Sequence, residues 1–138
     1  MKIAEIETDS ICVDASCLGN PGKLEYRGVH TATGEELFRS PIIPNGTNNL
    51  GEFLAITRGL QYLWELGQNI PIYSDSQTAM LWVKKQQVNT TLPRNRYTQQ
   101  VWQEVDRALN WLKTHNPTNP ILKWDAKWGQ IPADFGRK

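Results

Sequence analysis

The chain reads as an α/β protein whose core is a five-stranded mixed sheet, three strands antiparallel and two parallel, with helices packed on it. Three observations predict this class. The first 45 or so residues hold short apolar and alternating runs separated by turn chemistry, the pattern of consecutive hairpins. Two longer stretches then place apolar residues at helical spacing. Short β-favouring runs follow these helical stretches, so later strands return to the sheet through crossovers and lie parallel to the first. The expected order is βββαβααβ in a single domain spanning 1–138.

The first strand is marked by Ile11-Cys12-Val13 and ends at Asn20-Pro21-Gly22. Leu24–His30 alternates, Thr31-Ala32-Thr33-Gly34 forms a hairpin loop, and Leu37–Ser40 leads into Ile42-Ile43 as the third strand, which Pro44-Asn45-Gly46 breaks. Thr47-Asn48-Asn49 offers N-caps for a helix of about 18 residues ending near Gly67. On it Glu52, Ala55, Ile56, Gly59 and Leu63 form one stripe, with small residues that let the helix lie close to the sheet. Ile70–Asp75 is a short strand, Ser76–Lys85 a helix carrying Ala79, Met80 and Val83, and Arg94–Thr114 a long helix with Val101, Val105, Ala108, Leu109 and Leu112 on its core face. His115–Pro120 ends that helix, and Ile121–Ala126 is the last strand before the tail 128–138. Residues 1–9 either extend the first strand or fray.

Composition excludes some functions. With 39% hydrophobic and 21% charged residues the chain suits a soluble globular protein, and its net charge of +1 means that any polyanion must be met by local basic groups. No apolar run approaches a membrane span and the N-terminus has no signal-peptide core, so a cytoplasmic protein without membrane partners is expected. Cys12 and Cys17 are an odd number of positions apart on one strand, hence on opposite faces, and are expected as reduced thiols.

Asp14 is the anomaly. It falls inside an apolar strand, where an uncompensated carboxylate costs several kcal/mol. From that stretch alone, a solvated Asp at a frayed strand end is an equal reading, and Glu52 alone reads as a helix-dipole partner. Asp75, at the C-terminal end of a strand where a helix begins, sits where α/β proteins place both caps and catalytic groups. A right-handed crossover brings Asp14, Glu52 and Asp75 to one edge of the sheet. Crowded carboxylates repel unless divalent cations neutralise them, and hard oxygen donors select Mg²⁺ or Mn²⁺. Carboxylates around two such ions are the arrangement used for phosphodiester hydrolysis.

Asp14-Ala15-Ser16-Cys17-Leu18-Gly19-Asn20-Pro21-Gly22, Thr47-Asn48-Asn49-Leu50-Gly51-Glu52 and Tyr73-Ser74-Asp75-Ser76-Gln77 follow one another in the order and spacing of type 1 ribonuclease H, which the chain resembles over nearly its full length. The tail Trp128-Gly129-Gln130-Ile131-Pro132-Ala133-Asp134-Phe135-Gly136-Arg137-Lys138 resembles a short bacterial branch of that family. The resemblance implies a ribonuclease H-like fold and a monomeric endoribonuclease that hydrolyses the RNA strand of RNA–DNA hybrids with two Mg²⁺ ions, for which Mn²⁺ can substitute, leaving 5′-phosphate and 3′-hydroxyl ends. It further implies that Asp14, Glu52, Asp75 and Asp134 are the metal-binding carboxylates, Asp14 bridging both ions and Glu52 also helping to place the attacked phosphate and its 2′-hydroxyl. Asn20, Asn48 and Gln77, with Asn49 beside them and backbone groups near Ala15 and Cys17, would read the RNA strand, since side-chain amides both donate to and accept from a 2′-hydroxyl. Thr47 would grip a phosphate of the DNA strand.

The chain also departs from the family. The loop 127–132 lacks the His found there in many members, leaving Lys127 as a substitute, and His30 and His115 read as surface residues. The segment Lys84–Arg96 is too short for the basic helical protrusion of some members, yet it carries Lys84, Lys85, Arg94 and Arg96 as a reduced phosphate-contact surface. Trp82 and Trp102, near this segment, read as core. The long C-terminal helix is nearly absent, with an expected loss of stability. A hybrid-binding module without catalysis and another nuclease, integrase or ATPase of the same fold are the alternative readings, separated by site residues rather than by fold.

Overall fold

The computed structural model describes residues 5–136. Its framework is the hairpin of β1 (Ile11–Gly19) and β2 (Gly22–His30), paired antiparallel from Ile11↔His30 to Gly19↔Gly22. The Asn20-Pro21 connection makes the tight turn that the sequence signals. Residues 5–10 do not extend β1, and residues 1–4 lie outside the described residues; the Glu7 amide donates to the Tyr73 hydroxyl at 2.9 Å.

The third strand differs from expectation. It is divided into β3 (Glu36–Arg39) and β4 (Ile43–Gly46), both antiparallel to β2, and Pro44-Asn45-Gly46 lies within β4 rather than beyond it. Between the two segments Ser40 maintains the pairing: its amide donates to the Tyr26 carbonyl and its Oγ accepts from the Tyr26 amide, at 2.8 and 2.9 Å. Proline is tolerated in β4 because this is the edge of the sheet.

Helix α1 (Asn48–Leu66) begins at Thr47, whose side chain accepts from the Leu50 amide, and ends at Gly67 in the left-handed conformation (φ 66°). It leads to β5 (Ile72–Ser74), which pairs parallel to β1; α2 (Gln77–Lys85) and α3 (Gln99–His115) follow, and β6 (Ile121–Lys123) pairs parallel to β5. The sheet order β3-β2-β1-β5-β6 places β1 at the centre. Helix α3 starts later than the periodicity predicts, because Asn95 folds 94–97 into a turn, its Oδ1 accepting from the Tyr97 and Thr98 amides. β6 stops at Lys123, short of Ala126, because Asp125 caps a 3₁₀ turn over Ala126–Trp128, its side chain accepting from the Lys127 amide.

Ile11, Val13 and Ala15 of β1 face α1 in the main core, with Leu24, Phe53, Ile56, Leu60, Leu63, Ile72, Val101, Val105 and Leu112. The helix lies close to the sheet through Gly51 as well as Gly59: a Cβ on Gly51 would meet Leu24 Cδ1 at 2.2 Å and Ala15 Cβ at 2.9 Å. The opposite face of the sheet is covered by the tail. Trp124, Ile131 and Ala133 close over Cys12, Val29 and Tyr73 in a second core, and the Trp124 and Trp128 rings meet Tyr73 edge-on at 5.4 and 5.9 Å. Arg137 and Lys138 of the tail lie outside the described residues.

Candidate active site

The site is made by two strands parting. The β1–β5 ladder comprises only Ile11↔Ile72 and Cys12↔Tyr73, after which β5 ends while β1 runs on. Carrying that register two steps further sets Asp75 level with Asp14 across an opening fork. Asp14 has the parity of Cys12, so it stands on the face away from the α1 core, and it is fully buried. Glu52 enters from the first turn of α1, which Gly51 allows to press onto Ala15, and it too is buried. Asp75 is exposed at the mouth. Its position is held by the strand-to-helix turn: Ser74 Oγ accepts from the Ser76 amide at 3.1 Å, and Ser76 Oγ caps α2 by accepting from the Ala79 amide at 3.1 Å. One carboxylate oxygen from each of Asp14, Glu52 and Asp75 lies within 4.8 Å of the other two. Two buried carboxylates and one solvent-facing carboxylate at that spacing form an all-oxygen donor set that fits a hard divalent cation, with access for a ligand from the Asp75 side.

A groove of about 820 Å³ opens from these carboxylates, lined by Cys17, Asn20, Asn48, Asn49 and Gln77 beside Glu52 and Asp75. Five of the seven residues expected to bind substrate thus share one surface with the acidic cluster. Thr47 lines the adjoining cleft of about 480 Å³, together with Trp82 and 89–93, and Asn20, Asn48 and Asn49 join the two. The Ala15 side chain is buried in the core, opposite Tyr26 in the β1–β2 ladder, so only its backbone is left for the expected role, next to the groove-lining Ser16. Ser16, Gly19, Ser76 and Thr78 also line the groove. Ser16 was open to discovery from the sequence by simple alternation, since it shares Asp14's side of β1.

Asp134 is not one of the three clustered carboxylates. Its Oδ2 accepts from the Gly136 amide at 2.8 Å, and its own carbonyl accepts from Arg27 Nη2 at 2.7 Å. Arg27 lies directly opposite Asp14 in the β1–β2 register, so the tail is tied down beside the acidic fork. The Arg27 contact was missed in the sequence because it joins positions distant in the chain with no motif between them.

His115 is not a simple surface residue: it stacks on Trp111 at 4.5 Å and meets Trp64 edge-on at 5.2 Å. His30 is half-buried at the end of β2. Lys127 is exposed in the 3₁₀ turn. Of the basic segment, Arg94 is paired to Asp106 at 2.9 Å and lies 3.9 Å from the Trp102 ring centre, while Trp82 packs edge-on against Phe53 in the core. The Arg94 partnership pulls the Asp106 carboxyl below its ordinary range. Neither cysteine is in a disulfide. Burial pushes the Cys12 thiol up to about 12, against a smaller opposing effect of the Thr31 hydroxyl, and burial also raises the groove-lining Cys17, so both are neutral near pH 7.

The model of the RNase H family matches residues 7–120, ending before β6 and the tail. Ribonucleases H from Thermoanaerobacter sp. (strain X514) and Thermoanaerobacter pseudethanolicus (strain ATCC 33223 / 39E) are each 29% identical over 121 residues, covering 78% of this chain and 77% of theirs. Among solved structures, the fold is similar to that of LC11-RNase H1, isolated from compost by a metagenomic approach (TM-score 0.55, 21% identity, 86% of this chain and 85% of that one). It is also similar to the N-terminal RNase H domain of Rv2228c from Mycobacterium tuberculosis (TM-score 0.52, 19% identity, 84% and 86% covered). A further structure of LC11-RNase H1, in complex with an RNA/DNA hybrid, matches with TM-score 0.51 and 20% identity over 83% of this chain and 82% of that one.

Proposed function

The chain belongs to the RNase H family of hydrolases, and from that membership we propose that it is an endonuclease cutting the RNA strand of RNA–DNA hybrids, leaving 5′-phosphate and 3′-hydroxyl ends. The observation that carries this reading is the meeting of Asp14, Glu52 and Asp75 at the head of a groove lined by Asn20, Asn48, Asn49 and Gln77. The hybrid bound by a similar structure, LC11-RNase H1, supports the choice of substrate. In this reading Asp14, Glu52 and Asp75, with Asp134 as fourth ligand, would hold two Mg²⁺ ions, or Mn²⁺ in their place, and such ions would supply an activated water and neutralise charge on the leaving oxygen.

The chain's own residues do the rest. The amides of Asn20, Asn48 and Gln77 face the groove and recognise the 2′-hydroxyls that only the RNA strand offers. The cleft at Thr47 takes a phosphate of the DNA strand at the α1 N-terminus, where free backbone amides and the helix dipole favour an anion. Burial of Asp14 and Glu52 excludes bulk water from the inner wall, while the exposed Asp75 leaves the side of substrate entry open. The polar side chains lining the groove, from Ser16 and Asn20 to Gln77 and Thr78, position the substrate by hydrogen bonds and charge. We read the chain as one domain, because the main core joins residues of β1, β2, β4, β5 and all three helices, and propose that it acts as a monomer.

The deciding experiment is cleavage of a labelled RNA–DNA hybrid, double-stranded RNA and double-stranded DNA, each with Mg²⁺ and with EDTA. Cutting of the hybrid's RNA strand alone, abolished by EDTA, is the expected result. Tight hybrid binding with no cutting in Mg²⁺ or Mn²⁺ would replace this reading with that of a binding module.

A further inference from the structure

The tail reaches Asp14's side of the sheet as an irregular segment. Ala133, Asp134 and Phe135 lie outside any helix or strand, so the placement of the Asp134 carboxylate depends on side-chain contacts to this segment. Arg27 supplies the decisive ones. Its Nε donates to the Ala133 carbonyl at 2.8 Å and its Nη2 to the Asp134 carbonyl at 2.7 Å, while Nη1 reaches Glu36 at 3.3 Å. The guanidinium also lies 5.1 Å from the centre of the Phe135 ring. Three consecutive tail residues, Ala133, Asp134 and Phe135, are therefore held by one side chain, and that side chain projects from the strand position directly opposite Asp14. Asp134 Oδ2 in turn accepts from the Gly136 amide, which restrains the carboxylate relative to its own backbone.

We propose that Arg27 is a positioning residue that holds the Asp134 segment on Asp14's side of the sheet with a guanidinium fork, so that the Asp134 carboxylate can serve the acidic fork. The inference rests on the reading of Asp134 as a metal ligand. A planar fork can bind two adjacent carbonyls at once and stack on a ring, whereas a lysine ammonium offers only a point charge. Arg39, whose guanidinium also lies 5.1 Å from the Phe135 ring centre, has its hydrogen bonds to Glu25 and Glu36 instead, so it is the internal control.

The test compares the full chain with Arg27→Met, Arg27→Lys, Arg39→Met, Asp134→Asn and the Arg27→Met/Asp134→Asn double variant. Calorimetric Mn²⁺ binding without nucleic acid is the first readout; kcat, KM for hybrid and the Mg²⁺ concentration at half-maximal rate are the second. Arg27→Met is expected to weaken Mn²⁺ binding and lower kcat by about 10–100-fold each, as for loss of other groups that orient a metal ligand, with KM for hybrid unchanged. Arg27→Lys falls between, Arg39→Met binds Mn²⁺ like the parent, and the double variant is no worse than Asp134→Asn alone because both act through one carboxylate. Native Mn²⁺ affinity in Arg27→Met, or defects of Arg27→Met and Asp134→Asn that multiply, would overturn the proposal. If Arg27→Met does not fold, Arg27→Lys decides by the same comparison. A parent protein that binds Mn²⁺ but leaves the hybrid intact would sink the functional reading, while the calorimetric series still judges Arg27.

Discussion

A carboxylate buried in the middle of a strand works against folding, and Asp14 is such a group. Replacing it by Asn keeps the shape and removes the charge. Asp14→Asn and Asp75→Asn are expected to lower hybrid cleavage by on the order of 10³-fold, the loss of several kcal/mol of charge stabilisation. Asp14→Asn should at the same time raise, or at least not lower, the urea midpoint of the metal-free protein, because charge in a crowded acidic cluster is relieved. A native cleavage rate, or a collapse of stability with activity, would remove Asp14 from the site. Cys12 and Tyr26 make the opposite kind of statement. Both are neutral and buried, with Cys12 raised from 9.0 and Tyr26 from 10.0, each to about 12, chiefly by burial. A raised folded value means that the unfolded chain loses its proton first, so stability is intact below about pH 9 and falls as pH rises through 12. Urea midpoints measured from pH 8 to 12 should fall across that window, and Cys12→Ala should flatten the part that begins near pH 9.

At the scale of elements, the stripe on α1 was legible because helical periodicity records burial directly: Glu52, Ala55, Ile56, Gly59 and Leu63 are all buried as the spacing implies. The closest approach was not, since Gly51 looks like any small residue until Leu24 and Ala15 are found against it. Gly51→Ala is expected to destabilise by about 1–3 kcal/mol through overpacking even though alanine is the better helix former, and to lift Glu52 away from Asp14. Thermal melts and cleavage rates together check this: a variant that melts higher and cuts as fast would show that the helix can move without consequence. The divided third strand and the late start of α3 were illegible for a different reason. Both turn on a side chain standing in for backbone, Ser40 in the ladder and Asn95 before the helix, and propensity does not register such substitutions. Asp14, Asp75 and the asparagines, by contrast, stood out because polar residues were written where the local pattern called for apolar ones or a turn.

For the whole molecule, a net charge of +1 places the burden of phosphate binding on a few groups. Arg94 is already engaged with Asp106 and Trp102, which leaves Lys84, Lys85 and Arg96 as the basic groups of this segment that form no ion pair among the described residues. Hybrid affinity should fall with salt at a shallow slope, and Lys84→Ala or Arg96→Ala should each reduce that slope by about 1 without altering which strand is cut. A salt titration of binding in EDTA reads this directly, and unchanged slopes would locate the phosphate contacts elsewhere. What no sequence pattern announced was the second core. The sequence places Trp124 in the last strand and Ile131 and Ala133 in the tail without assigning them a core role, yet they bury Cys12, Val29 and Tyr73 and shield the sheet's other face. Burial at this site arises from residues far apart in the chain, which periodicity within a single element cannot reveal.

That arrangement gives the protein two units of unequal cohesion. The α1 side of the sheet is locked by a large continuous core, whereas the tail is attached by a small cluster, the Trp124 amide's bond to the Ser74 carbonyl and the Arg27 fork. The amides of 124–134 are expected to exchange with solvent through a partial opening that leaves β1 and α1 protected, which hydrogen exchange reads directly. Asp14 and Glu52 belong to the unit expected to open last and Asp134, the fourth ligand of the proposed reading, to the one expected to open first, so the proposed ligand set straddles a seam between slow and fast breathing.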